Sequence, residues 1–376
     1  MTTTSHDILP AELEDLVKLF DVTPTDSPTP DDEREAALAA PRFGTVFTDH
    51  MARITWRKDT GWIDRRIEKY GPLLLDPATA VLHYAQEIFE GMKAYKHADG
   101  SVWTFRPAAN AARFARSAHR LALPPLSVDD FVGSIAALVR TDLPWVPGGE
   151  DSSLYLRPFM FASEAFLGVR PATEVEYLCI ASPVGPYFAG GVKPVSIWVS
   201  QDYHRAGPGG TGDAKCGGNY AASLLPQTEA QENGCDQVCF LDSATNSFLE
   251  ELGGMNVFVV TDDGAVHTPE LTGSILEGVT RSSILQLAAD HGREVVERRI
   301  PLAEVVDGLA SGKVREIFAC GTAAVVTPIG RLAGGTFDHT VGDGEPGELT
   351  MAIRTELTDI QYGRVEDRHG WLRRLA

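Results

Sequence analysis

The spacing of apolar and polar positions changes period along the chain, and the changes mark its elements. VWTFR at 102–106 is a short aromatic and β-branched run, and NAARFARSAHRLAL at 110–123 follows it with Phe114, Ala118 and Leu121 at intervals of four and three. Those intervals put three apolar side chains on one helical face, so the pair predicts a strand and then a helix. VSIWVS at 195–200, QVCFLD at 237–242 and NVFVVT at 256–261 predict further buried strands, the last ended by Asp262, Asp263 and Gly264. Helices are expected over 280–291, capped by Thr280 and closed by Gly292, and over 302–310.

Strands and helices mixed in this way over 376 residues exceed one core of usual size. The pattern predicts a mixed α/β (α+β) enzyme of two domains. Pro24, Pro28, Pro30 and Pro41 lie among acidic residues and threonines, so residues 1–41 are expected to form an N-terminal arm, partly mobile. SPVGPYFAGGVKP at 182–194 reads as an interdomain loop. It separates a small domain, 42–181, from a larger one, 195–376.

A formal net charge of −19 and a pI near 4.9 exclude a polyanion such as nucleic acid as the expected partner. A small anion remains compatible, because backbone N–H groups and a few arginines can hold it locally. The five cysteines, at 179, 216, 235, 239 and 320, show no disulfide framework, and Cys235 and Cys239 lack a second pair at zinc spacing. No metal site is expected. The opening MTTTSHDILPAELED has no basic region followed by an apolar stretch, and no window approaches 18 apolar residues. These features predict a soluble, cytoplasmic protein without a membrane partner.

The chemistry concentrates in GGTGDAKCGGNY at 209–220, where Lys215 stands in a glycine-rich bend. A lysine is ordinarily a solvated surface charge, but here the backbone allows close approach of a ligand to a long amine. A phosphate-binding P-loop needs glycine before the lysine and Ser or Thr after it, and these positions are Ala214 and Cys216. Downstream, Glu250 and Glu251 precede a strong strand. Gly278, Val279 and Thr280 open a predicted helix, whose unpaired N–H groups suit a phosphate, and Gly321 with Thr322 offers a second such turn. Arg106 could clamp a phosphate with two N–H groups. Lysine, acid and phosphate cradle together describe a pyridoxal phosphate (PLP) enzyme.

The chain resembles the branched-chain amino acid aminotransferases of fold type IV. The matching segments run in order: HYAQEIFEGMKAYK at 83–96, FRP at 105–107, LYLRP at 154–158, GPYF at 185–188, KCGGNY at 215–220, EELGGMN at 250–256, EGVTR at 277–281, VREIFACGTA at 314–323 and DIQYG at 359–363. The resemblance implies a small N-terminal α/β domain and a larger C-terminal domain with a barrel-like β core. It implies that Lys215 is the aldimine lysine, Glu251 the acid on the pyridine nitrogen and Tyr220 the partner of the ring hydroxyl. Arg106, Val279, Thr280 and Thr322 would hold the phosphate. Tyr84, Phe89, Tyr155, Arg157 and Tyr187 would wall the substrate pocket, with Thr322 and Ala323 at the substrate carboxylate. Leu167 and Val169 match residues lent across a dimer interface, which implies a homodimer.

The resemblance further implies ping-pong transfer between leucine, isoleucine or valine and 2-oxoglutarate. Three tyrosines and a phenylalanine suit a branched aliphatic side chain, while Arg157 suits the second carboxylate of glutamate. Two departures stand out. Gly254 occupies a position where relatives often carry threonine, and Ala324 and Thr327 replace a redox cysteine pair of mammalian relatives, so no thiol switch is expected there. The alternatives are a D-amino acid aminotransferase or aminodeoxychorismate lyase of the same fold, or a non-catalytic binding protein.

Overall fold

The structure, a computed structural model, describes residues 11–41, 43–149, 151–185 and 191–376. The chain divides into two compact units, residues 1–187 with 359–376, and residues 188–358. The C-terminal stretch, expected in the large domain, therefore belongs to the first unit. The reason is a non-local pairing: Leu372–Arg374 adds to Val102–Phe105 as an antiparallel edge strand, with Leu372 opposite Phe105.

The first unit is built on a nine-stranded sheet. Its long central strands, His50–Arg57, Ser153–Ala162 and Glu174–Val184, are antiparallel neighbours. The last of these runs through 182–184, the start of the expected interdomain loop. Helix Val128–Thr141 packs across this sheet and against helix Pro107–Arg120. Ser127 starts the former by accepting the Asp130 N–H at 2.9 Å, with acids in its first turn and Arg140 in its last, as the helix dipole favours. Phe114, Phe131 and Tyr177 meet in the core with ring centroids 5.3–6.3 Å apart, and the Tyr177 hydroxyl is satisfied by Ser134 at 2.8 Å. Burial of each such ring contributes about 1.5–3 kcal/mol.

The helix expected over 110–123 starts earlier, at Pro107, and ends at Arg120. Pro107 suits a first turn because its missing N–H would be unpaired there. The helix stops because Ala122 turns left-handed (φ 53°) ahead of Pro124 and Pro125. Phe114 and Ala118 are buried as expected, whereas Leu121 falls at the half-buried C-cap.

The described part of the expected arm is tied down. Leu13–Val17 forms a short helix on Val128–Thr141, with Leu16 and Phe20 buried. Gly133 permits that approach, since a side-chain carbon there would lie 2.8 Å from the Leu16 carbonyl oxygen. Further on, the Thr25 N–H donates to His50 Nε2 at 2.9 Å and the Thr29 hydroxyl to Asp49 at 2.6 Å. Composition alone missed these long-range anchors.

The second unit contains a closed ring of six strands. Val195–Val199, Gln237–Leu241, Phe248–Leu252, Asn256–Thr261, Val314–Gly321 and Val325–Gly334 pair in a circuit, closed where Glu251 pairs with Asn256 and where Val325–Gly334 pairs with Val195–Val199. Alternating residues fill one buried cluster, among them Ile197, Val199, Val257, Val259, Ile317, Ala319 and Ile329. This is the barrel-like core within a mixed α/β fold. On other faces Phe258 and Phe318 stack at 4.9 Å, and helix Val279–Asp290 packs on the strand that carries Phe318. That helix, expected from Thr280, is capped by Gly278, which puts Thr280 inside its first turn. Among the described residues no helix is long and apolar enough to cross a membrane.

Candidate active site

Lys215 lies at the end of a loop that leads into the short helix Gly217–Ala221. The buried Asn219 side chain staples this loop. Its amide nitrogen donates to the carbonyls of Thr211 at 2.7 Å and Ala214 at 2.9 Å, and its oxygen accepts the Thr211 hydroxyl at 2.8 Å. Gly212 is needed for close approach, because any side chain there would overlap the Ser274 backbone. So braced, the Lys215 amine donates to the Tyr220 hydroxyl at 2.5 Å. Lys215 precedes that helix and Tyr220 lies within it, so the turn into the helix folds amine and phenol together.

Glu251 is buried where the barrel closes. Its Oε1 accepts from Arg205 at 2.8 Å and from the Leu276 N–H at 2.8 Å, while Oε2 receives the Asn256 amide at 3.3 Å. Oε1 is thus well supplied with donors and Oε2 has room for another. Burial pushes the Glu251 carboxyl up to about 7, against the pull of Arg205, the Leu276 N–H and Lys215. Arg205 also donates to the Gly212 carbonyl at 2.9 Å and to the Ser274 carbonyl at 3.3 Å. One guanidinium therefore joins the lysine loop, the acid and the segment leading to the next helix. The neighbouring Glu250 faces Ser274, whose hydroxyl it accepts, and burial raises its carboxyl too.

Asn256 extends this network to the candidate phosphate turn. Its amide also donates to the Leu276 carbonyl at 2.9 Å, and its oxygen lies so close to Gly278 that a side chain there would overlap it. Val279 and Thr280 follow in the first turn of a 12-residue helix, where backbone N–H groups lack intrahelical acceptors. Thr322 and Ala323 form the turn between Val314–Gly321 and Val325–Gly334. This turn lies over the one that follows Glu251, since a side-chain carbon on Gly321 would meet Met255 Cγ at 3.2 Å. Arg354 braces it by donating to the carbonyls of Ala324 at 2.9 Å and Val326 at 2.7 Å.

In the first unit, Tyr155 and Arg157 alternate on Ser153–Ala162 and so share a face, and Phe89 lies on the strand that pairs with it. Arg157 donates to the Tyr155 hydroxyl at 3.0 Å, and its guanidinium carbon is 4.8 Å from the Phe89 ring centroid. Phe43 packs edge-on to Tyr155 at 5.0 Å. Gly91 makes room for this group, since a side chain there would overlap the Tyr155 hydroxyl. The Tyr84 hydroxyl donates instead to the Leu167 carbonyl, on a loop whose Leu167 and Val169 side chains are 61% and 89% exposed. Arg106 is buried and left-handed at the N-cap of Pro107–Arg120. Tyr187 lies outside the described residues.

Sequence reasoning missed Arg205, Asn219, Gly91 and Phe43, and assigned Asn256 no role. Asn219 and Asn256 stand inside quoted motifs, where a polar side chain among glycines was the available signal. Arg205 had none, because its partners lie 7 to 69 residues away.

The donor set fits PLP: an amine beside a phenol, a buried carboxylate with one oxygen available, and a helix start in the same unit. A family model described as amino-transferase class IV matches residues 87–332. The chain is 54% identical over 361 residues to the branched-chain-amino-acid aminotransferase of Mycobacterium tuberculosis, covering 95% of this chain and 98% of the relative. It is 56% identical over 359 residues to the probable branched-chain-amino-acid aminotransferase of Streptomyces coelicolor, covering 95% and 99%. The crystal structure of the branched-chain amino acid aminotransferase from Thermobaculum terrenum in its PLP form has a TM-score of 0.69 at 26% identity, covering 86% of this chain and 98% of that one. With a family model over most of its length and relatives of this identity, the chain belongs to the class IV aminotransferases, as a PLP-dependent enzyme of the branched-chain-amino-acid aminotransferase family.

Proposed function

We propose that this protein transfers the amino group between leucine, isoleucine or valine and 2-oxoglutarate, in two half-reactions through one site. The observation that carries the chemistry is the network of Lys215, Tyr220, Glu251 and Arg205, which puts an amine and a supported carboxylate on one rigid frame. When bound, PLP supplies the aldehyde that takes up the amino group and a ring that accepts the electron pair released at the substrate Cα. Lys215 Nζ would serve as the base that takes the substrate Cα proton and, once protonated, as the acid that gives it back. Tyr220, in hydrogen-bond contact with Nζ, orients that amine. Glu251 Oε2 would accept a hydrogen bond from the protonated pyridine nitrogen and so keep it protonated, and Arg205 favours the ionised carboxylate that this needs.

Arg106, Val279, Thr280 and Thr322 are the proposed phosphate ligands, and Thr322 and Ala323 the proposed partners of the substrate carboxylate. Phe89 and Tyr155 would meet the aliphatic side chain, and Tyr84 and Tyr187 complete the proposed pocket wall. Arg157 Nε is buried and has no acceptor among the described residues, which suits it to the second carboxylate of glutamate. The exposed Leu167 and Val169 support a homodimer in which that loop is covered. Five free, buried cysteines suit a reducing cytoplasm.

The test is the visible spectrum of the purified protein. L-leucine should shift the cofactor band, 2-oxoglutarate should restore it, and Lys215→Ala should bind PLP without turning over. Turnover by Lys215→Ala, or no response to any branched-chain L-amino acid, would sink the proposal.

A further inference from the structure

The last residues of the chain lie beyond every motif that marked the family, yet they reach Arg106. The register of Leu372 opposite Phe105 brings Trp371 beside Arg106. The Arg106 N–H donates to the Trp371 carbonyl at 2.8 Å, and the Arg106 guanidinium carbon lies 5.5 Å from the Trp371 ring centroid. We propose that Trp371 is a positioning residue for the cofactor phosphate, acting by holding Arg106 in its phosphate-binding conformation. This rests on the reading of Arg106 as a phosphate ligand.

Arg106 has φ 46° and ψ 51°, a left-handed conformation that non-glycine residues seldom adopt, and it precedes Pro107, which further disfavours helical angles. Tertiary contacts must hold it there. The Trp371 carbonyl does so on the N–H side, and the Asn110 amide, donating to the Arg106 carbonyl at 3.0 Å, does so on the other. Trp371 delivers its carbonyl reliably because its own loop is preformed. Asp367 accepts the Leu372 N–H at 2.7 Å and the His369 N–H at 3.3 Å, and Gly370 supplies the left-handed turn at φ 66°.

The Trp371 ring acts separately from its carbonyl. Trp371 is 5% exposed, its ring packed edge-on to Phe105 at 5.4 Å and stacked on His369 at 4.3 Å, so it is a fixed surface. A guanidinium held against an aromatic face keeps its N–H edges in their own plane, where a phosphate takes two of them. Arginine otherwise loses considerable rotamer freedom on binding, and a partner that orders it beforehand removes that loss from the ligand's affinity.

The experiment compares PLP with pyridoxal, which lacks the phosphate, on the full-length protein after cofactor removal. Trp371→Leu should raise the Kd for PLP about tenfold, the size expected of a partly desolvated cation–π contact, and leave the Kd for pyridoxal unchanged. Trp371→Phe should restore most of the affinity, and Trp371→Leu should add no further loss in an Arg106→Met background. A Kd for PLP unchanged in Trp371→Leu, or equal losses for PLP and pyridoxal, would overturn the proposal, the latter by showing a merely structural role. If Trp371→Leu does not fold, Trp371→Phe decides, with a PLP-specific loss of about threefold expected and native affinity overturning the idea. An Arg106→Met protein that binds PLP normally defeats the Arg106 reading itself, whereas a weakened Arg106→Met beside an unaffected Trp371→Leu defeats only the role of Trp371.

Discussion

Arg205 and Glu251 meet at 2.8 Å with both side chains only 4% exposed, so the acid proposed for the pyridine nitrogen is held by a buried cation. Removing one partner of such a pair strands the other in a low-dielectric site. Arg205→Met is expected to lower stability by about 3–5 kcal/mol at pH 7, read by denaturant unfolding of the cofactor-free protein. A loss under about 1 kcal/mol would show that the pair is not a strut.

Stability should also depend on pH through Glu251. Burial raises its carboxyl from the ordinary 4.5 to about 7, so the folded chain keeps a proton that the unfolded chain has released between those values. For a raised folded value the stabilising contribution is complete below about 4.5 and is lost as pH climbs through about 7. The unfolding free energy of the native protein relative to Glu251→Gln is therefore expected to fall by about 3 kcal/mol across that window. A difference that stays flat, or rises, contradicts it.

Gly212 touches the Ser274 backbone with no room for a side chain. Neither side of that contact is a flexible tip, so Gly212→Ala must push the lysine loop away from the segment leading to the proposed phosphate turn. A destabilisation of about 1–3 kcal/mol and weaker PLP binding are expected. Native PLP affinity in a folded Gly212→Ala protein would show that the close approach does not position Lys215.

Thr327 sits opposite Ala319 in the barrel ladder, fully buried, and its hydroxyl has no partner among the described residues. A buried polar group without a hydrogen bond costs about 1–3 kcal/mol. Thr327→Val keeps the shape and removes the hydroxyl, so a stabilisation of about 1 kcal/mol is expected by thermal or denaturant unfolding. A destabilised variant would reveal an unseen partner for the hydroxyl.

At Gly254 an added side-chain carbon would meet only Tyr220 Cε1, at the ordinary contact distance of 3.6 Å. The first carbon of the threonine expected in relatives therefore fits. Gly254→Thr should fold with stability changed by less than about 1 kcal/mol, because its β-carbon displaces nothing and it reduces the freedom of the unfolded chain. A larger loss on unfolding would mean that the space is closed by something other than Tyr220.

Local pattern exposed much of this protein. The strands at 195–200, 237–242 and 256–261 lie within one or two residues of the structure, because β-branched and aromatic runs between turn residues leave few alternatives. Helix ends were less legible. Thr280 looked like a cap because threonine often is one, but Gly278 takes that place, where Asn256 leaves no room for a side chain. The expected arm misled for the opposite reason: its prolines and acids promise little local structure, and its anchors are His50, which opens a distant strand, and Asp49 just before it.

The candidate site divides along the same line. Lys215 and Glu251 stood out from the sequence because their chemistry is local, an amine among glycines and an acid before a strong strand, whereas Tyr220 was named through the family resemblance. Their glycine neighbours also signalled tight backbone approach, although only the fold shows that Gly212 meets Ser274. Arg205, Asn256 and Trp371 became significant only when distant segments met. Arg205 joins three of them, Asn256 stands at the pairing that closes the barrel, and Trp371 arrives by a strand added from the end of the chain. The sequence by itself determined the alternation of elements and the chemical groups available, since periodicity and side-chain identity act over a few residues. Tertiary structure decided which cation supports the acid and which ring holds the arginine, because burial and ion pairing depend on distances that no local pattern encodes.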